Sequence, residues 1–313
     1  MKRLRIAVIG AGHMGRYHAG KLAACAGAEL AAVVDRDAAR AAELAAGCNC
    51  AAATDYREVI AKVDAAVIAT PTASHHEMAS ACLEAGVHVL VEKPIARSVA
   101  EAEGLIRLAA LRRRVLQVGH VERYNGAYRA LAGRMRQPLY VEAERLSGFK
   151  QRGTDVDVVL DLMIHDIDLA LGLARSAVVG VSAAGFRVLT GDIDIANARI
   201  EFANGCVATL SASRVSQSQV RKLRVFQPGL YVSADLQAGG LRYVSESGGT
   251  LHESDEIHDT GDALALQARE FIAAAGNGAA VQVTGEDGRA ALELALEVGR
   301  LVNERLRKHA APR

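Results

Sequence analysis

The chain has 313 residues, half of them hydrophobic and 23% charged, enough for two domains with cores of their own and too apolar for long disordered tracts. Lys plus Arg (37) almost cancels Asp plus Glu (36), which argues against nucleic acid or an anionic membrane as partner, so an anionic ligand has to be recognised locally. No stretch reaches the roughly 20 apolar residues of a membrane span, and the five cysteines, odd in number and without CxxC spacing, point to reduced thiols in a cytoplasmic protein and to no metal site.

Lys2, Arg3 and Arg5 lead into Ile6 to Ile9, a run that passes straight into Gly10 and Gly12 and reads as a strand and its turn rather than a signal peptide. Strands are predicted at 4–9, 29–34, 65–69, 87–91 and 115–118, with Ala-rich helices such as 15–26 and 36–46 between them. That alternation predicts a doubly wound parallel sheet, a Rossmann domain over 1–119. After Gly119 the strands at 140–146, 178–186, 196–202, 206–213, 222–226 and 230–236 have no obligatory helix between each pair, and Asn204-Gly205 signals a hairpin. Helical spacing marks 157–172, 264–275 and 284–307, the last opening on Thr284 with acids in its first turn. The polar, Gly-rich stretch 245–261 reads as a surface loop. Residues 120–313 are therefore expected to form an α+β domain, an open and mostly antiparallel sheet with helices on one face.

Gly10-Ala11-Gly12-His13-Met14-Gly15 matches GxGxxG directly after a strand and before a helix. Small residues there permit a tight turn and the approach of backbone N–H groups to a pyrophosphate, which the helix N-terminus stabilises. Asp35, at the end of the second predicted strand and 20 residues beyond Gly15, can accept hydrogen bonds from ribose hydroxyls and would repel a 2′-phosphate. NAD is the expected cofactor, although Arg36 could soften that selectivity, and Asp35 could instead cap the following helix. Thr70-Pro71-Thr72 ends the next strand, where ligands of open α/β sheets collect, and Thr72 and His75 could line the cofactor channel.

Glu92-Lys93-Pro94 ends another strand, so Lys93 is expected near the nicotinamide, where a cation can polarise a hydroxyl or carbonyl oxygen. Asp161 and His165 are four apart in a helical segment and share a face; the neutral imidazole can take a proton as a hydroxyl becomes a carbonyl. Asp168, three beyond His165, competes with Asp161 as the orienting acid, and Asp166 lies about 100° away around the helix.

With these motifs in this order, the sequence resembles the Gfo/Idh/MocA family of sugar and inositol oxidoreductases: GxGxxG followed by His18, then Glu92-Lys93-Pro94, then Asp161, His165 and Asp168 as D-x-x-x-H-x-x-D, and late segments Glu270-Phe271-Ile272 and Gly285-Glu286-Asp287-Gly288. The resemblance implies a bound nicotinamide cofactor, with Glu92 beside it, catalysis by Lys93, Asp161 and His165, and an open sheet that often mediates oligomerisation, here a homodimer or homotetramer. Gly119 to Asn125 and the stretch Val156 to Asp168 are similar, more narrowly, to the bacterial nucleotide-sugar 3-dehydrogenases that supply 3-amino sugars for lipid A, which implies a UDP-N-acetylhexosamine substrate and a pathway link to an aminotransferase. Arg123, Lys150 and Arg152 are cations available for its diphosphate, with Arg123 and Tyr124 ranked above Arg152, and Asn125 either orients the sugar or caps the next helix. The competing readings are the same chemistry on another sugar or inositol, and a noncatalytic dinucleotide-binding regulator.

Overall fold

Runs of Val, Ile and Ala with no polar interruption suit strands covered on both faces, and in the computed structural model they form a parallel sheet of six strands among the described residues, 3–149, 156–258 and 261–309. These are β1 (Leu4–Ile9), β2 (Ala28–Val34), β3 (Ala51–Ala53), β4 (Ala65–Ile68), β5 (His88–Val91) and β6 (Leu116–Val118), in the order β3-β2-β1-β4-β5-β6. The order reverses between β1 and β4, and at such a switch point the chain leaves a crevice at the carboxyl ends of the strands. β3 was not expected: three alanines carry no periodicity, and they form a strand only by pairing with Ala32 to Val34 at the sheet edge. The connecting helices are α1 (His13–Ala23), α2 (Ala38–Cys48), α3 (Arg57–Ile60), α4 (His75–Glu84) and α5 (Val99–Arg112).

The rest of the chain builds α6 (Gly126–Arg134), β7 (Tyr140–Leu146), α7 (Ile164–Ala174), β8 (Val178–Phe186), β9 (Ile195–Phe202), β10 (Val207–Ser213), β11 (Val220–Gln227), β12 (Leu230–Asp235), β13 (Gly240–Ser247), β14 (Thr250–Ile257), α8 (Ala263–Asn277) and α9 (Gly285–His309). β7 to β14 make a second sheet, β14-β13-β12-β11-β7-β10-β9-β8, antiparallel except where β7 pairs with β10. Strict alternation in β7 and β9 sends Val141, Ala143, Ala198 and Ile200 to one face, where they pack with Tyr128 and Leu131 of α6, Ile167 of α7 and Val298 and Val302 of α9. Each such aliphatic side chain contributes roughly 1.5–3 kcal/mol on burial. The opposite face is polar and aromatic: Phe226 packs between Tyr140 and Tyr231 with its ring tilted to both, and Arg224 pairs with Glu142 and Glu144.

The expected surface loop at 245–261 is corrected here. Most of it is the β13–β14 hairpin, turned by Gly248 and Gly249, both at positive φ, as a two-residue turn requires. β14 is exposed almost throughout and has acids at Glu253, Asp255 and Glu256, so it has no apolar face to betray it. Charges on an edge strand also discourage pairing with foreign strands.

The chain divides into two compact units, Met1–Tyr124 with Asp262–Ala290, and Asn125–Gly261 with Ala291–Arg313. The first therefore extends past residue 119 and takes back α8, whose Ala268, Phe271 and Ile272 join Ile6, Val8 and Leu22 in its core. Thr284 caps the start of α9 reciprocally with Asp287: the Asp287 N–H donates to the threonine hydroxyl, and the Thr284 N–H to the carboxylate. No helix among the described residues is long and apolar enough to cross a membrane.

Candidate active site

In the first unit the glycine turn follows β1 directly. Gly10 has φ of +105°, and a Cβ on Gly15 would stand 1.8 Å from the Gly10 carbonyl oxygen, so neither position accepts a side chain without rebuilding the turn. A Cβ on Gly12 would meet nothing within 4 Å, which leaves open space where backbone can approach a ligand. Gly12 begins α1 without a side-chain cap and α1 has no acid in its first turn, so its N-terminal dipole is available to an external anion. His13 is exposed and edge-on to Tyr17 at 4.9 Å, and Met14 is half-buried.

Asp35 ends β2. Its carboxylate accepts the Ala11 N–H at 2.8 Å and the Asp37 N–H at 2.9 Å, which ties it to the glycine turn. The cap of α2 is Asp37, which accepts from Ala39 and Arg40. The turn, the open space and the adjacent acid suit a dinucleotide whose pyrophosphate rests on α1 and whose ribose meets Asp35.

Thr70, Pro71 and Thr72 follow β4, with Pro71 exposed and Thr70 held by the Ser74 hydroxyl at 3.0 Å. His75 is turned inward: Nδ1 lies 2.8 Å from the Pro94 carbonyl and Nε2 lies 2.9 Å from the Thr70 carbonyl. It clamps the two loops together rather than presenting a nitrogen to a channel. Burial pushes its pKa down, against the pull of the two carbonyls and of Glu92.

Glu92 is buried at the end of β5, with Oε1 2.7 Å from His18 Nε2 of α1. Burial alone would raise its pKa, but the His18 hydrogen bond and the charges of His18, Lys93 and His75 outweigh that and hold it below the ordinary carboxylate value. Lys93 follows, half-buried, and is joined to Pro94 by a cis peptide bond.

Beyond β6, Arg123 has its guanidinium 3.8 Å from Asp287, and its carbonyl accepts from Gln282. Tyr124 is buried, its hydroxyl accepting from the Gln117 amide at 2.9 Å.

The second unit carries the other candidates. Asn125 is the cap of α6: its oxygen accepts the N–H groups of Ala127 and Tyr128, and its amide donates to the Leu236 carbonyl at 2.8 Å. Of the two roles left open for it, these bonds express the cap. Arg152 and Lys150 lie outside the described residues.

The helix expected from 157 starts differently. Asp157 accepts from Val159 and Leu160, and Val159–Met163 is a π-turn closed by the Ile164 N–H on the Val159 carbonyl, before α7 proper. Asp161 sits in that wider turn and His165 in the first turn of α7, both half-buried. Such turns insert one extra residue, recur at functional sites and re-aim the side chains they carry.

Asp166 points to the core, gripped by Arg145 of β7 through Nε and Nη2 of the guanidinium at 2.8–3.2 Å, and Asp168 is fully buried. Arg145 belongs to no motif; its one signal is an inward position on an alternating strand, where a cation needs a buried partner.

A GxGxxG turn on a parallel sheet with an acid at the end of β2, and a Lys-Pro at the end of β5, define a Rossmann-type nicotinamide-dependent oxidoreductase. The chain belongs to the Gfo/Idh/MocA family: residues 4–120 match its oxidoreductase model with an NAD-binding Rossmann fold, and residues 122–227 match its C-terminal domain. Its cofactor is NAD. It is 40% identical over 306 residues to the UDP-N-acetylglucosamine 3-dehydrogenase of Acidithiobacillus ferrooxidans, covering 95% of this chain and 97% of that one. A solved structure of that enzyme superposes with a TM-score of 0.93 at 39% identity, covering 98% of this chain and all of the other. Inositol 2-dehydrogenase of Rhizobium meliloti is 28% identical over 96% of this chain and 98% of its own length.

Proposed function

We propose that the protein oxidises the C3 hydroxyl of UDP-N-acetylglucosamine to the 3-keto sugar, with NAD+ reduced to NADH and one proton released. The observation that carries this reading is the likeness to the Acidithiobacillus enzyme, which runs through both units at 40% identity. The family match over 4–120 and 122–227 supports it independently of substrate.

Bound NAD+ supplies the acceptor for the C3 hydrogen with its electron pair. The chain's own residues do the rest. Gly10 to Gly15 and Asp35 hold the dinucleotide, with Thr70, Pro71, Thr72 and Glu92 around it. His165 takes the proton from the C3 hydroxyl, and Asp161 or Asp168 orients the imidazole and stabilises its charged form. Lys93 donates to the same oxygen as negative charge develops on it. Arg123 and Arg152 provide cations for the diphosphate, Arg being suited to phosphate by its planar fork. Tyr124, buried, and Asn125, which caps α6, complete the residues assigned to the sugar nucleotide.

The enzyme works in the cytoplasm as a homodimer or homotetramer, with the polar and aromatic outer face of the second sheet as the contact. A 3-keto sugar is the substrate an aminotransferase needs to install a 3-amino group, so the product feeds amino-sugar synthesis for lipid A or surface polysaccharide.

The test follows NADH absorbance with UDP-N-acetylglucosamine, other UDP-sugars, glucose and myo-inositol. The expected result is turnover with the first, lowered at least about a hundredfold in His165→Ala and in Lys93→Ala while NADH still binds. Turnover of inositol alone, or near-normal rates in both variants, would overturn the reading.

A further inference from the structure

An irregular turn keeps its register only where the chain on either side of it is fixed. In Val159–Met163 the Ile164 N–H reaches back five residues to the Val159 carbonyl, where an α-helix would reach four. Giving up that extra residue would swing whatever precedes the turn by about 100° relative to whatever follows it. Asp161 lies inside the turn and His165 just beyond it, so their mutual placement depends on which register the chain holds.

Two buried guanidiniums fix the two ends. β7 and β10 run parallel and adjacent, with Arg145 opposite Ala212, and Arg214 follows β10 directly. On the entry side Arg214 donates through Nη1 to the Val156 carbonyl at 2.8 Å, through Nε to Asp194 at 2.8 Å and through Nη2 to the Thr190 hydroxyl at 2.9 Å. Asp194 is itself fixed by the N–H groups of Val188, Leu189 and Thr190 at 2.7–2.9 Å, and its neighbour Ile193 accepts the Val158 N–H at 3.0 Å. On the exit side Arg145 holds Asp166, the residue after His165, through Nε and Nη2. All four charged side chains are buried. Buried pairs forfeit hydration that apolar side chains of like volume would not, and selecting one arrangement among several is their best-attested use.

We infer that Arg214, bracing the π-turn from the entry side as Arg145 braces it from the exit side, is a positioning residue for Asp161 and His165. Its guanidinium joins three separate pieces of chain: the backbone just ahead of the turn, the loop that ends at Asp194, and the end of β10. The turn is thereby held in its wide register, with acid and imidazole set for one substrate geometry. Arg214 acts through the backbone rather than on the reacting atoms. The inference rests on the assignment of Asp161 and His165 to the reaction proposed above.

The test compares Arg214→Lys with Leu241→Ala by two readouts: amide hydrogen exchange on the ligand-free protein, and steady-state turnover of UDP-N-acetylglucosamine with NAD+. Lysine keeps a cation for Asp194, but its single nitrogen cannot serve Asp194, Thr190 and Val156 together. Leu241, buried in the same core on β13, is the control for general loss of stability. In Arg214→Lys the amides of 158–165 are expected to exchange about tenfold faster, with those of β12 and β13 within about twofold of the wild type. Its kcat is expected to fall at least about tenfold, because small misplacements of reacting groups are costly, while the KM for sugar stays within about threefold. Leu241→Ala is expected to melt at a lower temperature than the wild type and to keep kcat within about twofold. Exchange at 158–165 or kcat within about twofold of the wild type in Arg214→Lys would overturn the inference, as would an equal fall of kcat in Leu241→Ala. Should Arg214→Lys not fold, Arg145→Lys, which gives Asp166 one nitrogen in place of two, decides by the same readouts. If the wild type oxidises a different sugar, the substrate reading falls and the same comparison, made with that sugar, judges Arg214 on its own.

Discussion

Asp35 is the side chain proposed to set the cofactor preference. It is held by the Ala11 and Asp37 N–H groups, so its charge has a fixed place beside the glycine turn. Replacing it with Ala removes both the ribose acceptor and the repulsion of a 2′-phosphate, with Arg36 next to it. Steady-state kinetics with both cofactors are expected to show the KM for NAD rising about tenfold and NADP becoming usable, an effect of about 1.4 kcal/mol. An unchanged NAD to NADP ratio would remove Asp35 from the site. At this scale the sequence was informative where residue type and spacing dictate backbone geometry, as at the glycine turn and at Asp35, which accepts the Ala11 N–H of that turn. Asn125, just ahead of a helix, could be read as its cap and is one. Tyr124 and His75 gave no such warning, because a buried hydroxyl and paired carbonyl contacts depend on which groups lie nearby once the chain has folded, and spacing along the sequence does not encode that.

Among the elements, the segment that carries Asp161 and His165 opens on a π-turn and is tied to its neighbours by buried charges. Arg145 grips Asp166 from β7, while Arg214 reaches the Val156 carbonyl at 2.8 Å and Asp194 at 2.8 Å. Asp194, fully buried, also accepts the N–H groups of Val188, Leu189 and Thr190 and the Thr190 hydroxyl. Burial pushes its pKa up, but these bonds and Arg214 prevail and hold it well below the usual carboxylate range. A carboxylate depressed in the folded state stabilises the fold above its unfolded value near 4 and loses that contribution as pH falls towards the folded value. Urea melts are therefore expected to show the wild type losing stability below about pH 4. Asp194→Asn, which leaves Arg214 buried without its anion, is expected to be about 3–5 kcal/mol less stable at pH 7 and to lack that part of the acid dependence. Equal stability at pH 7 would contradict this role. A strand with one buried face, such as β7, was legible to the residue because alternation records burial. β3 and β14 were not, since three alanines and an exposed acidic strand look like linker until a neighbour pairs with them. The π-turn was hidden too, because its one-residue insertion leaves the helical pattern of apolar residues nearly unchanged.

Across the whole chain, the first unit is discontinuous. α8 comes more than 130 residues after the last strand of the parallel sheet and still supplies Phe271, fully buried, to the core beside Ile6 and Leu22. Phe271→Ala should lower stability by about 3–5 kcal/mol. Occupancy by NADH should recover much of that, because a ligand that binds only the folded form stabilises it. A variant as stable as the wild type, with or without NADH, would argue against α8 as part of that core. The class of each half was legible from alternation of strand and helix, but the return of 262–290 was not, because amphipathic spacing identifies a helix without identifying the sheet it covers.

The central claim is transfer of hydrogen from C3 of a nucleotide sugar to NAD. UDP-N-acetylglucosamine carrying deuterium only at C3, incubated with the protein and NAD+, tests it most directly, with the mass of the reduced cofactor as the readout. The account predicts NADH one mass unit heavier, formed with a ketone at C3. Reduced cofactor without deuterium, or none formed at all, would contradict it.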